Sequence, residues 1–294
     1  MLVVLNDGNG QMCNKLLFQA NILASSYQNK YPVCYYRMEK FPGFKQHQKE
    51  LERNLIRKDN EPKLQYALTR LVHKTLSKIS LSSKKFVMVG ANNQDEAEKL
   101  IRSNYLQRHT SYLYGWPFYD LDALREAGDL VREYLSPEQD VEEYVSQQKK
   151  KLNDLAEIII GVHLRRGDYK TWRNGAYYYS NAEYVQCMNS LFESLHTTKK
   201  CCFVLFSNEK LDITEFENDN YLVIKASGSA AQDFHLMSQC NYLVGPPSSF
   251  SGLASFLGKV PRYMIENPKK VVEKSDMLIW LEETDSWGRS IKEV

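Results

Sequence analysis

Ile158-Ile159-Ile160-Gly161-Val162-His163-Leu164-Arg165-Arg166-Gly167-Asp168-Tyr169 is the stretch on which the reading of this chain turns. Its apolar, β-branched opening predicts a buried strand, and that strand discharges into a loop bearing one imidazole, two guanidiniums and a carboxylate. Adjacent arginines at the carboxyl end of a strand repel each other unless something negative lies between them. A planar guanidinium suits bidentate contact with phosphate oxygens. The loop is therefore an anion site in outline. A solvated strand end with a salt bridge to Asp168 is the plainer reading, and the flanking His163 and Asp168 weigh against it.

Outward from this strand, short apolar runs alternate with helical patterns, the signature of βαβ units and a parallel sheet. Strands are expected at 2–5, 33–36, 86–89, 111–114, 157–163, 202–206, 221–224, 242–244 and 262–265. Helices are expected at 15–28, 94–103, 121–135, 137–152, 182–195, 230–239 and 249–257. The charged segment 45–85 breaks the rhythm and reads as a helical insertion, with Pro62 as a helix start. The run Lys149-Lys150-Lys151 ends a polar helix, which sets a boundary near residue 155 and predicts two α/β domains, 1–155 and 156–294. Two such domains imply a cleft, with ligands at the carboxyl ends of strands.

Composition narrows the function classes. A net charge of +2 spread over 294 residues argues against nucleic acid and membrane-surface partners. Six cysteines without CxxC spacing suit reduced, buried thiols, hence a cytoplasmic protein. The opening Met1-Leu2-Val3-Val4-Leu5 is too short for a signal peptide, and no segment approaches the ~18 apolar residues of a membrane span.

Three further segments feed the expected cleft. Asn6-Asp7-Gly8-Asn9-Gly10-Gln11-Met12-Cys13-Asn14 permits tight turns before a helix whose amino end offers free N–H groups, and a plain turn is as good a reading. Cys202 to Glu209 is a strand ending in Ser207-Asn208-Glu209. Asp233 to Ser251 passes from a helix through a strand to Gly245-Pro246-Pro247-Ser248-Ser249, where serines meet a helix amino end. That is a phosphate cradle or an ordinary N-cap. Together with the arginine loop, an acidic residue for a base edge and serines for a diphosphate point to a nucleotide-sugar site.

His163-Leu164-Arg165-Arg166-Gly167-Asp168-Tyr169 resembles the HxRRxDY signature of the α-1,2-fucosyltransferases, relatives of the α-1,6- and protein O-fucosyltransferases. Gly10 to Ala20 is similar to the family's GGLGNQMFQYA loop, with Asn14 on its Asn. Leu113 to Pro117 is similar to GYWQS, Tyr178 to Ala182 to YYxxA, and Phe206 to Glu209 to FSDD. Asp233 to Leu257 resembles the DLxLMSxCxHxIxxNSSFSWWGAWL block. The resemblance implies two Rossmann-like domains facing a cleft (the GT-B type), an acceptor-side amino-terminal domain, a donor-binding carboxyl-terminal one and a last helix returning to the first. It also implies GDP-fucose as co-substrate, a glycan or glycoconjugate acceptor, inversion, and no cofactor or metal. Carried over, Arg165 binds the β-phosphate with Arg166 and Ser249; Ser248 and Phe250 line the pocket; Asp233 recognises guanine; Asn14 and Asn208 face the donor; His163 orients the loop. Asp168 is the nearest carboxylate for proton acceptance or a partner for an arginine, so the base stays open.

The chain departs from the pattern at Cys13 and Lys15 (Gly and Gln), Asn208-Glu209 (Asp-Asp), Gly252-Leu253 (Trp-Trp) and Pro117-Phe118 (Gln-Ser). Asp120-Leu121-Asp122 spells a metal-type DxD but reads better as the acidic first turn of a helix. The expected activity is α-1,2 fucosyl transfer to galactose in polysaccharide biosynthesis. The alternatives are α-1,6 or protein O-fucosylation, a different sugar nucleotide, and an idle nucleotide- or glycan-binding homologue.

Overall fold

The short β-branched runs pair in parallel, and they do so in two sheets. The structure, a computed structural model, describes residues 1–4, 10–58, 67, 68, 71, 111–113, 120–285 and 288–291. These fall into two compact units, Met1–Ser136 and Pro137–Val294. The division precedes the helix that ends at the lysine run, whereas the sequence suggested a boundary after it. That helix packs on elements of the second unit.

The first unit holds β1 (Leu2–Val4), β2 (Val33–Tyr36), β3 (Leu55–Lys58) and β4 (Ser111–Leu113), ordered β3-β2-β1-β4 among the described residues. Helix α1 (Met12–Asn29) joins β1 to β2 and is buried from Leu16 to Ser26. Its interior polar groups are satisfied: Gln19 accepts from Gln46 Nε2 at 2.8 Å and Tyr134 Oη at 3.0 Å. Helices α2 (Leu121–Glu126) and α3 (Gly128–Tyr134) replace the single helix expected over 121–135, the break falling at Ala127, just before Gly128. β3 corrects the expectation of a helical insertion there. At its edge place among the described strands, Leu55-Ile56-Arg57-Lys58 half-buries Leu55 and Arg57 and exposes Ile56 and Lys58, the lysine setting a charge on the edge. The strand expected at 86–89, the helix at 94–103, the helix start at Pro62 and residues 115–118 of the GYWQS-like segment lie outside the described residues.

The second unit comprises α4 (Gln139–Leu155), β5 (Ile158–His163), α5 (Asn181–Ser194), β6 (Cys201–Phe206), β7 (Leu222–Lys225), α6 (Ala230–Met237), β8 (Tyr242–Gly245), α7 (Ser249–Gly258) and β9 (Arg262–Met264). The sheet order is β7-β6-β5-β8-β9, all parallel, with Ile158 opposite Cys201 and Ile160 opposite Tyr242. One face packs Ile160, Val162, Phe203, Leu205 and Val244 against Tyr184, Met188 and Leu191 of α5. On the other face Gly161 lies beneath Leu243, Cys240 and Phe206. The chain leaves β5 toward β6 on one side and returns through β8 on the other, so the switch point of this doubly wound sheet lies between the carboxyl ends of β5 and β8. Beyond α7 the described residues form β9, a 3-10 turn at Lys274–Asp276 and isolated bridges, in place of the expected last helix. All six cysteines are buried, and burial pushes the thiols of Cys187, Cys202 and Cys240 up to about 12.

Candidate active site

β5 delivers the arginine loop to the switch point, and three elements fix it there. Gly167 adopts φ +54°, the left-handed region that glycine enters without strain, and so turns the chain into a short 3-10 segment. Arg165 Nη2 meets Asp168 Oδ1 at 2.7 Å, its guanidinium lies 5.4 Å over the Tyr169 ring, and its N–H donates to Tyr184 Oη at 3.3 Å. Arg166 donates to Asn181 Oδ1 and lies 5.8 Å over the Tyr184 ring. Asn181 opens α5, whose start is set by a Ser180–Glu183 capping box. The Tyr178–Ala182 segment thus positions the Arg166 guanidinium through Asn181. From β6, Glu209 Oε1 accepts the Gly167 N–H at 3.2 Å, while Asn208 beside it is exposed.

Across the switch point, Ser248 caps α7 by accepting the Phe250 N–H at 3.2 Å. The Gly245-Pro246-Pro247 turn before it is held by two donors. Tyr169 Oη donates to the Pro247 carbonyl, and Arg262 Nη2 to the Pro246 carbonyl at 2.8 Å. Tyr169 therefore joins the arginine loop to the serine turn. His163 ends β5 inside this junction: a Cβ on Gly245 would meet its backbone oxygen at 3.0 Å, and its ring lies 5.3 Å from Phe250. Burial, then the charges of Arg165 and Arg262, hold the imidazole down to about 3, so it is neutral at physiological pH. Its Nδ1 is buried without a hydrogen-bond partner among the described residues.

Asp233 stands in the first turn of α6, fixed by a Ser229–Gln232 capping box. Its Oδ1 accepts the Gly228 N–H at 3.0 Å. Burial pushes its carboxyl up to about 6, against the pull of that hydrogen bond and of Lys225. A desolvated acceptor of this kind suits a donor edge such as guanine N1–H and its amino group.

Arg165, Arg166, Asp168, His163, Ser248, Ser249 and Phe250 are thus brought to one switch point, with Asp233 at the start of a helix of the same unit. Asn14 belongs to the first unit, where its side chain folds over Gly10. Asp120 and Asp122 have structural duties. Asp120 caps α2 and accepts from Ser25 Oγ at 2.6 Å, and Asp122 pairs with Arg125 at 3.1 Å. Lys15, a departure from the family pattern, pairs with Glu39. Gly252 is another: a Cβ there would meet the Trp280 indole at 2.6 Å, so this chain fills the place with a tryptophan from a distant segment. Lys225 and Arg262 escape a sequence reading because each reaches the site across the sheet, whereas Glu209 stands in the segment that the sequence marked and only its bond to Gly167 is new. No cluster of three metal-ligating side chains occurs among the described residues, and no described helix is long and apolar enough to cross a membrane.

A phosphate-type cradle at the switch point of a doubly wound parallel sheet is how nucleotide-binding α/β proteins are built. The chain belongs to glycosyl transferase family 11, whose profile matches residues 67–271. It is therefore a glycosyltransferase. No curated protein matches it. Among solved structures it is similar in fold to NodZ, an α-1,6-fucosyltransferase co-crystallised with GDP, with a TM-score of 0.60 at 14% identity over 92% of this chain and 97% of that one. A mutant of Arabidopsis thaliana FUT1 in complex with GDP gives 0.59 at 13% identity over 91% and 71%. POFUT1 in complex with GDP-fucose gives 0.50 at 11% over 88% and 94%.

Proposed function

We propose that this protein is an inverting, metal-independent transferase that moves fucose from GDP-fucose to a glycan hydroxyl, forming an α-1,2 linkage to galactose. The observation that carries the reading is the tie between the arginine loop and the serine turn through Tyr169 and Pro247, which makes one anion cradle of two loops. The desolvated Asp233 carboxylate supports guanine over other bases, and GDP or GDP-fucose in the three structural relatives supports the donor.

In this reading Arg165 takes the β-phosphate, helped by Arg166 and Ser249, while Ser248 and Phe250 line the pocket. Breaking the fucose C1–O bond develops negative charge on the departing diphosphate, and guanidiniums with α7's amino-terminal N–H groups stabilise it. His163, neutral and wedged against Gly245, sets the loop's course. Asp168 serves Arg165 as counter-ion. Asn208 faces the donor, and the buried thiols suit work in the cytosol.

Calorimetry with GDP, UDP and ADP tests the donor, and incubation with GDP-fucose and galactosides, followed by linkage analysis of the product, tests the reaction. GDP should bind at least about tenfold more tightly than UDP. Equal affinity overturns the donor assignment. An α-1,6 product or a fucosylated protein overturns the linkage alone, and tight GDP binding without transfer identifies an idle homologue.

A further inference from the structure

Arg262 opens β9 and is 4% exposed, yet no carboxylate pairs with it among the described residues. Its Nη2 donates to the Pro246 carbonyl, and its Nε is buried without a partner. Of the other two arginines of the site, Arg165 pairs with Asp168, while Arg166 donates to the neutral Asn181 and, like Arg262, buries its Nε without a partner among the described residues, though Arg166 as a whole is only half-buried. An unpaired buried guanidinium is costly unless an anion near it offsets the burial. Burial lowers its hold on the proton to about 10, so it stays charged at neutral pH. Its surroundings show where the offset lies. Arg262 pairs in register with Leu243, and its side chain reaches forward to the turn that follows β8. There its charge acts on His163 and Tyr169, the two residues that bracket the cradle.

We infer that Arg262 is a positioning residue for the diphosphate: a fixed buried charge that holds the Gly245–Ser248 turn through the Pro246 carbonyl and draws the phosphates onto it from beneath. The inference rests on the GDP-sugar reading above. It gives the cradle a third cation that never leaves the sheet, whereas Arg165 and Arg166 sit on a loop. Because its action is through charge, it scales with the charge of the ligand and is absent for an uncharged one.

Binding of guanosine, GMP and GDP to the whole protein and to the variants Arg262→Lys and Arg262→Gln tests this, with thermal melting to confirm folding. Arg262→Gln should weaken GDP by about tenfold or more, GMP by less, and leave guanosine within about twofold. Arg262→Lys should keep GDP within about threefold. Equal weakening of all three ligands by Arg262→Gln would assign Arg262 a structural role only, and unchanged GDP binding would remove it from the site. Should the glutamine variant not fold, the lysine variant decides: a folded Arg262→Lys that loses GDP more than tenfold while keeping guanosine shows that charge is not the agent. Wild-type protein that binds no guanine nucleotide overturns the donor reading instead, before any variant is compared.

Discussion

A guanidinium that stabilises charge as a bond breaks differs from one that only binds, and the difference shows where its loss is felt. Arg165→Ala should lower single-turnover transfer by about 10² to 10³ while weakening GDP much less, because the diphosphate gains charge on the way to the transition state. Arg165→Lys keeps a charge but loses the fork that reaches Asp168 and the phosphate together, so it should fold and bind yet stay slow. Near-normal transfer by the alanine variant would reduce Arg165 to a structural ion pair. Asp233 gives a second test with a definite sign. Its carboxyl is raised from 3.8 to about 6, so the folded protein holds that proton more firmly than the unfolded chain, and the resulting stability is lost as pH rises through 6. Asp233→Asn should therefore stabilise the ligand-free protein at pH 7 by on the order of 1–2 kcal/mol, allowing for partial exposure, while weakening GDP. Wild-type affinity for guanosine, which carries no phosphate to titrate near 6, should fall as pH drops below 6, as the acceptor is protonated, and the variant's should stay flat. Melting and calorimetry at pH 5 and 7.5 check both, and a pH-dependent variant would mean that another group titrates.

Elements were legible wherever one local signal dominated. The β-branched runs of β2, β5, β6 and β8 fall within a residue of where the sequence put them, and the capping boxes at Ser180 and Ser229 explain why α5 and α6 begin where expected. β3 was not legible because Leu55-Ile56-Arg57-Lys58, two apolar residues followed by two charged ones, has no period-2 pattern and lies inside a charged stretch. α1 shows the opposite failure of simple patterning: Gln19, Asn21 and Ser25 are polar yet wholly buried, their bonds coming from Gln46, Leu17 and Asp120. The Gly252-for-Trp departure looked like a change in the ligand site, and only the contact with Trp280 reveals it as a repacked core. Gly252→Ala sets a helix-propensity gain of up to about 1 kcal/mol against an indole that cannot move aside, a clash of about 1–3 kcal/mol. The clash should win, lowering the melting temperature by a few degrees without changing GDP selectivity. A stabilised alanine variant would show that Trp280 has room to shift.

At the scale of the whole molecule, the alternation of runs and helices was enough to read two parallel α/β units, since each unit repeats the same βαβ logic. The arginine loop and serine turn were legible because each follows its strand directly. Arg262 was not, because a lone arginine at the start of a strand has no local signature and its partner, Pro246, lies across the sheet. The same accounting of partners bears on the metal question. A divalent cation that holds a nucleotide diphosphate needs carboxylates free to coordinate it. In this chain the two carboxylates of the DxD spacing are committed, Asp120 to the α2 cap and to Ser25, Asp122 to Arg125. In the proposed reading, charge on the departing diphosphate is met by guanidiniums, which need no metal to act. Fucosyl transfer should then proceed at an unchanged rate in excess EDTA, and Asp122→Asn should leave both rate and GDP affinity within about twofold while removing only an exposed ion pair. Abolition by chelator with recovery on adding Mn²⁺, together with a large loss in the asparagine variant, would make the Asp120-Leu121-Asp122 segment a metal site and return the diphosphate charge to a cation.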